Sequence, residues 1–191
     1  LYVKELDGPP PEPWKPTLRG KQVLRYQTLK TKLHLKYGSW LARNWQNKTF
    51  YETQKIIIRE TGKQITATID LEKRYLLSSL YSVYPKKSED LMSLKYILGI
   101  LNSEFANYFM KIIAFDLTKG AFTKIRTNQL SRLPIRTIDF SISKEKASHG
   151  KMVQLVESML SLYKGLLKIK TSEEKTLVQR QISSIDGQIN K

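Results

Sequence analysis

Apolar residues recur along the chain with three different rhythms. Lys55–Glu60 (KIIIRE) is a short β-branched run, and Gln64–Asp70 (QITATID) alternates apolar and polar positions. Thr61-Gly62-Lys63 between them has turn chemistry, so the two runs predict a β-hairpin. Arg74–Tyr84 holds further β-favouring residues and stops at Pro85, which predicts one more strand. From Leu91 to Ile113 the spacing becomes helical, with apolar residues at 94, 97, 98, 101, 105, 108, 109, 112 and 113. Asn102-Ser103 interrupts this run, as an N-cap dividing two helices or as a polar turn within one. Lys119–Leu133 has loop and strand character and is closed by Leu133-Pro134-Ile135.

The ends of the chain follow other rules. Gly8–Pro16 (GPPPEPWKP) is too rich in proline for a helix or a central strand, so residues 1–16 read as an extended lead-in or an edge-wrapping arm. After a polar linker at Ser141–Gly150, apolar residues from Met152 to Leu167 form the broad face of a helix. Thr171 and Glu174 fit a capping box that starts a second helix. Along that helix Val178, Ile182, Ile185 and Ile189 recur at spacings of four, three and four, a coiled-coil seam. Two such helices with a short link predict an antiparallel hairpin, or a helix that docks on a neighbour. The expected fold is mixed α/β (α+β): a mixed-sheet domain over 1–140, then a helical hairpin over 141–191.

Composition narrows what such a fold could do. At 191 residues and 40% hydrophobic, the chain can bury a core as one domain with an appendage or as two small domains. There are no cysteines, hence no disulfides, no thiolate metal site and no thiol nucleophile. No stretch has the pattern of a signal peptide or a membrane span, and the expected location is the cytoplasm. The first residue is Leu1 rather than Met, which fits a portion of a longer protein.

Charge adds the strongest signal. Lys and Arg number 33 against 17 Asp and Glu, a formal net charge of +16. No acidic residue lies between Glu12 and Glu52, a window that holds Arg19, Lys21, Lys30, Lys32, Lys36, Arg43 and all three tryptophans. A second window between Asp116 and Asp139 carries Lys119, Lys124, Arg126, Arg132 and Arg136. One such lysine is usually only a solvated surface residue. Two unmixed windows interleaved with aromatics and amides point to a surface that follows a phosphate backbone.

Catalytic signatures are missing: there is no GxGxxG, GxxxxGK[ST], HExxH or GxSxG, and His34 and His149 lie far apart. The Asn-Pro-Pro-aromatic loop of amino-group methyltransferases is also lacking. Asp70-Leu71-Glu72-Lys73 and Glu173-Glu174-Lys175 are the nearest approaches to the carboxylate clusters of metal-dependent nucleases, although acid-Lys neighbours are common on helical surfaces.

Leu18-Arg19-Gly20-Lys21 with Tyr26 downstream, then KIIIRE, then Tyr96–Ser103 (YILGILNS), then Leu133-Pro134-Ile135 form an ordered series. The series resembles the TaqI-like C-terminal specificity domain, the target-recognition module of adenine-specific DNA methyltransferases and of fused restriction-modification enzymes. HGKMVQLVESMLSLYKGL and LVQRQISSIDGQINK resemble the helical segment that closes many such proteins, and the likeness extends over roughly residues 14 to 190. The chain departs from the family at Gln22, where members often have Asp, and it stops at Lys191, where their tails usually continue.

The resemblance implies a sequence-specific double-stranded DNA-binding domain that itself holds no cofactor. S-adenosylmethionine would belong to a methyltransferase domain N-terminal to it, which flips and methylates the target adenine. Mg²⁺ would belong to a nuclease domain, where one is fused. The expected partners are double-stranded DNA and that methyltransferase domain, with no membrane; a homodimer through the C-terminal helices is a further alternative. Phosphate contacts are expected from Lys30, Lys32, Lys36, Lys119 and Lys124, and from Arg19 and Lys21 in the family motif. Base readers are expected among Arg43, Asn44, Gln46, Arg126, Asn128 and Gln129, whose bidentate geometry suits guanine and adenine edges. Two rivals remain open at this point. One is an RNA-binding basic domain that stacks bases on Trp40, Trp45 or Phe122; the other is a nuclease built on Asp70, Glu72 and Lys73.

Overall fold

In a computed structural model the described residues are 2–42, 44, 48–85, 91–113 and 124–191. Their strands are β1 (Val3–Glu5), β2 (Trp14–Leu18), β3 (Val23–Leu24), β4 (Gln27–Thr28), β5 (Leu33–Lys36), β6 (Lys55–Arg59), β7 (Ala67–Asp70), β8 (Tyr75–Leu76) and β9 (Leu80–Val83). Their α-helices are α1 (Leu91–Leu101), α2 (Glu104–Ile113), α3 (Thr127–Leu130), α4 (Ser143–Leu166) and α5 (Ser172–Ile189). The strands form a mixed four-stranded sheet in the order β1-β5-β2-β8, the β3-β4 hairpin and a sheet in the order β7-β6-β9. The fold is therefore of the expected mixed α+β class.

Strand β6 explains why three consecutive isoleucines are needed. Side chains alternate across a strand, so Ile56 and Ile58 face one way and Ile57 the other. Ile56 and Ile58 enter the main core with Leu94, Leu98, Val156 and Met159 from the helices. Ile57 packs against Leu18, Val23 and Leu80 on the opposite side. All three are buried. An unbroken apolar run is what a strand covered on both faces requires.

The hairpin with β7 is the predicted one, and it carries a buried charge network. Lys55 and Asp70 are register partners, and their side chains, both fully buried, meet at 2.9 Å. The Lys55 ammonium also donates to the carbonyls of Tyr51 and Thr53 at 2.8 and 3.3 Å. The other Asp70 oxygen accepts from Arg74 Nε at 3.0 Å, and Arg74 reaches on to the Thr28 hydroxyl at 3.0 Å. Burial pushes the Lys55 ammonium below its ordinary range, and the Asp70 charge opposes that shift.

Arg74–Tyr84 is not one strand. The chain forms β8, which pairs parallel with β2, then turns and forms β9 beside β6 in another sheet. Propensity marked the segment as extended but carried no information about which sheet each half would join. The lead-in behaves similarly: Val3–Glu5 pairs with β5, and Trp14-Lys15-Pro16 lies inside β2 opposite Lys36, Leu35 and His34. Proline is tolerated there because β2 passes from β5 to β8 just beyond Pro16. The polar linker expected at Ser141–Gly150 is helical from Ser143.

Asn102-Ser103 divides two helices, and each residue has a separate task. The Ser103 hydroxyl accepts the Ala106 N–H at 3.2 Å and caps α2. The Asn102 side chain is buried and pairs in both directions with the backbone of Ala67 in β7, at 3.1 and 3.0 Å. Asn107, one turn on, accepts the Ile65 N–H at 2.8 Å. These bonds set the rotation of α2, so Ala106 and Met110 are buried while Phe105, Tyr108 and Ile112 are more than half exposed. All three belong to the helical spacing of apolar residues, which does not by itself fix the face that is buried.

The tail forms the expected helical hairpin, with the Thr171 hydroxyl accepting the Glu174 N–H at α5. Its seam lies against the main core: Ile189 is buried and Ile182 and Ile185 pack beside it. Gly99 lets α1 and α4 approach closely, since a Cβ there would lie 2.5 Å from Met152 Sδ. Arg25 locks the hairpin in place, with a guanidinium nitrogen 2.7 Å from Asp186 and 2.8 Å from the Asn102 carbonyl.

Asp70→Ala should cost about 3–5 kcal/mol, because it strands the buried Lys55 ammonium. Adding Lys55→Met should restore part of that loss, as read by denaturant unfolding. A single substitution within about 0.5 kcal/mol of the parent contradicts the network's role.

Candidate nucleic-acid interface

The two basic windows, far apart in sequence, meet at one edge of the fold. Leu18 ends β2 and the chain turns through Arg19-Gly20-Lys21-Gln22, where the Gln22 amide oxygen accepts the Arg19 N–H at 3.1 Å. The Gly20 N–H donates to the Ser79 hydroxyl at 2.9 Å. The Ser79 carbonyl accepts the Glu60 N–H at 3.0 Å, and the Glu60 carbonyl accepts the Ile125 N–H at 2.8 Å. An isolated β-bridge joins Thr61 to Lys124. Residues 19–21 and 124–126 are thus stitched together through Ser79 and Glu60.

Side chains at this edge are cationic and largely accessible. Lys21 and Arg126 are exposed, and the Lys124 side chain is 60% exposed. Lys124 meets Glu60 Oε1 at 2.8 Å, and the Tyr81 hydroxyl donates to the same oxygen at 3.0 Å. Ile125 is buried, so on this extended segment Lys124 and Arg126 project together from the opposite side. Arg19 and Arg59 each adjoin a residue bonded to Ser79, and each has a buried Nε without a hydrogen-bond partner among the described residues. Such donors are rare in folded proteins.

The other expected contacts fall in several places. Lys30 and Lys32 are exposed, and Lys32 pairs with Asp7. Lys36 lies opposite Trp14, four residues up β2 from Leu18 and so roughly 13 Å from the site. There it sits over the Trp40 ring at 5.5 Å. Asn44 donates to the Gly38 carbonyl at 3.0 Å, a local loop bond. Gln129 accepts the Arg126 N–H at 2.9 Å as a cap of α3, while the Asn128 side chain is exposed. Arg43, Gln46 and Lys119 lie outside the described residues.

The nuclease rival loses its chemistry. Asp70 is committed to Lys55 and Arg74 and is fully buried, so it cannot join Glu72 and Lys73 around a metal ion. Trp40 is 45% exposed; one part of its ring packs on Gly38, and Tyr2 lies near it with ring centroids 6.4 Å apart. Trp45 and Phe122 lie outside the described residues.

Sequence reading missed Arg59, Glu60, Ser79 and Tyr81. Only Glu60 carried a signal, as the acid that closes the KIIIRE run. Burial, and then the hydrogen bond and charge of Glu60, push the Tyr81 phenol up to about 12, against a small opposite pull from Arg126. Tyr26, buried in the core, is also raised to about 12, chiefly by desolvation. A pKa raised by folding gives stability that is present below the ordinary value of 10.0 and is lost as pH climbs towards about 12. Phenolate absorbance should therefore show a late class of tyrosines that ionises together with alkaline unfolding. A single step at the ordinary value, with the fold intact, contradicts this arrangement.

Comparison with known proteins agrees with this geometry. Residues 15–135 match the TaqI-like C-terminal specificity domain. The chain is also 28% identical over 131 residues to the type II restriction enzyme and methyltransferase RM.Eco57I of Escherichia coli, which covers 67% of this chain. The chain spans only 13% of the length of that relative. The matched segment runs from β2 through Lys124–Arg126 and α3, and so contains both halves of the stitched edge. The chain belongs to the TaqI-like C-terminal specificity domain family.

Proposed function

We propose that this chain is the sequence-specific double-stranded DNA-recognition domain of a restriction-modification enzyme. A methyltransferase domain elsewhere in the same protein would bind S-adenosylmethionine and modify the target adenine, in the cytoplasm. One observation carries the reading: the hydrogen-bonded path Gly20–Ser79–Glu60–Ile125 joins the two acid-poor windows into one cationic edge. Arg19, Lys21 and Lys30 would hold phosphates and fix the register of the duplex. Arg126, exposed at the start of α3, would read a guanine edge, and Asn128 would face an adjacent base. Lys36 would contribute little, because it sits at the other end of β2.

The test is affinity across a salt series for duplexes enriched from a random pool and for scrambled controls. Lys21→Ala should weaken both and reduce the salt slope by about one unit, the loss of one released counterion. Arg126→Ala should act mainly on the enriched duplex, by about 1–3 kcal/mol. Lys36→Ala should change neither. Equal losses from Lys36→Ala and Lys21→Ala would overturn this placement of the interface.

A further inference from the structure

Resting on the reading just given, we propose that Glu60 is a positioning residue that determines specificity: it fixes Lys124 as a base reader rather than a phosphate contact. Sequence reasoning treats Lys124 as an ordinary backbone-following lysine, and an untethered lysine would behave so. Its position in the structure is different. The ammonium is held 2.8 Å from Glu60 Oε1, and that oxygen is itself held by the Tyr81 hydroxyl at 3.0 Å. Tyr81 stands on β9, in register with the buried Ile58 of β6, so the carboxylate is anchored to a rigid element. The glutamate side chain is only 18% exposed while that of Lys124 is 60% exposed, so the carboxylate is the anchored partner and the lysine the accessible one.

The geometry beyond the pair supports the same role. Lys124 and Arg126 flank buried Ile125 and project outward together, roughly 7 Å apart along the extended segment. That separation corresponds to about two base-pair steps at 3.4 Å each. An ammonium has three donors. With one on Glu60, two remain for the O6 and N7 acceptors that guanine presents in the major groove. The carboxylate also offsets the attraction of Lys124 for any passing phosphate, which penalises unregistered complexes. Glu60 would therefore raise discrimination while lowering affinity for random DNA.

This role separates from a purely structural one, because the backbone bonds of Glu60 to Ser79 and Ile125 survive side-chain substitution. Glu60→Gln keeps an acceptor of the same shape and removes only the charge. The measurement is binding of the 191-residue chain to the enriched and scrambled duplexes across a salt series, with thermal melting as the folding control. Glu60→Gln should bind scrambled DNA about fivefold more tightly at 0.15 M salt, with a salt slope steeper by about one unit, the worth of one freed phosphate contact. It should bind the enriched duplex more weakly, so that the ratio of the two falls roughly tenfold or more. In a Lys124→Gln background, Glu60→Gln should leave the ratio unchanged. Tyr81→Phe, which frees the carboxylate without touching its charge, should lower the ratio without steepening the slope. Equal weakening of both duplexes by Glu60→Gln would make Glu60 a scaffold residue and overturn the proposal, as would no change in either. If the parent chain itself fails to discriminate between duplexes, DNA reading fails first, and the role of Glu60 falls with it.

Discussion

Burial of β6 on both faces is the constraint on which the rest of the structure depends. Ile56 and Ile58 require a helical layer on one side, and Ile57 requires the Leu18–Val23–Leu80 cluster on the other. A strand so enclosed cannot slip by one residue, because the slip would exchange its two sets of side chains. Its two ends are consequently fixed points. At one end Lys55 completes the buried network with Asp70 and Arg74, which draws in the loop before β6 and, through Thr28, the β3-β4 hairpin. At the other end the chain leaves the sheet as Arg59-Glu60, and there the cationic edge is assembled.

The helical layer is held to this sheet by polar bonds as well as by apolar contact. Asn102 binds the backbone of Ala67, Asn107 binds that of Ile65, and Arg25 spans the Asn102 carbonyl and Asp186 of the tail. Buried amides and guanidinium groups are costly unless paired, so each of these permits one arrangement of its neighbours. The C-terminal hairpin is in this sense a buttress for the sheet: Ile189 and Met159 share one core with Ile56 and Leu98.

What could be read from the sequence divides along physical lines. Elements governed by local pattern were legible: the KIIIRE–QITATID hairpin, the Asn102-Ser103 break and the Thr171 cap all depend on neighbours within a few residues. Decisions made by distant contacts were not. The rotation of α2 is set by Asn107 reaching Ile65, and the split of Arg74–Tyr84 is set by two sheets competing for one extended segment. The candidate site followed the same rule. Charge depletion picked out both windows, and the family motifs picked out Arg19 and Lys21. No local pattern could show that Ser79 and Glu60 join the windows, or that Lys36 lies a sheet's length from the others.

The functional reading accordingly rests on one spatial claim: residues about a hundred positions apart present a single surface to one duplex. Backbone amide chemical shifts, followed by NMR as a duplex is titrated into the labelled chain, test it directly. The account predicts a contiguous set of salt-sensitive shifts at Gly20–Lys21, Ser79, Glu60–Thr61 and Ile125–Arg126, with Lys36 and Trp40 unmoved. Shifts centred on Lys36 and Trp40, or confined to only one of the two windows, would contradict it.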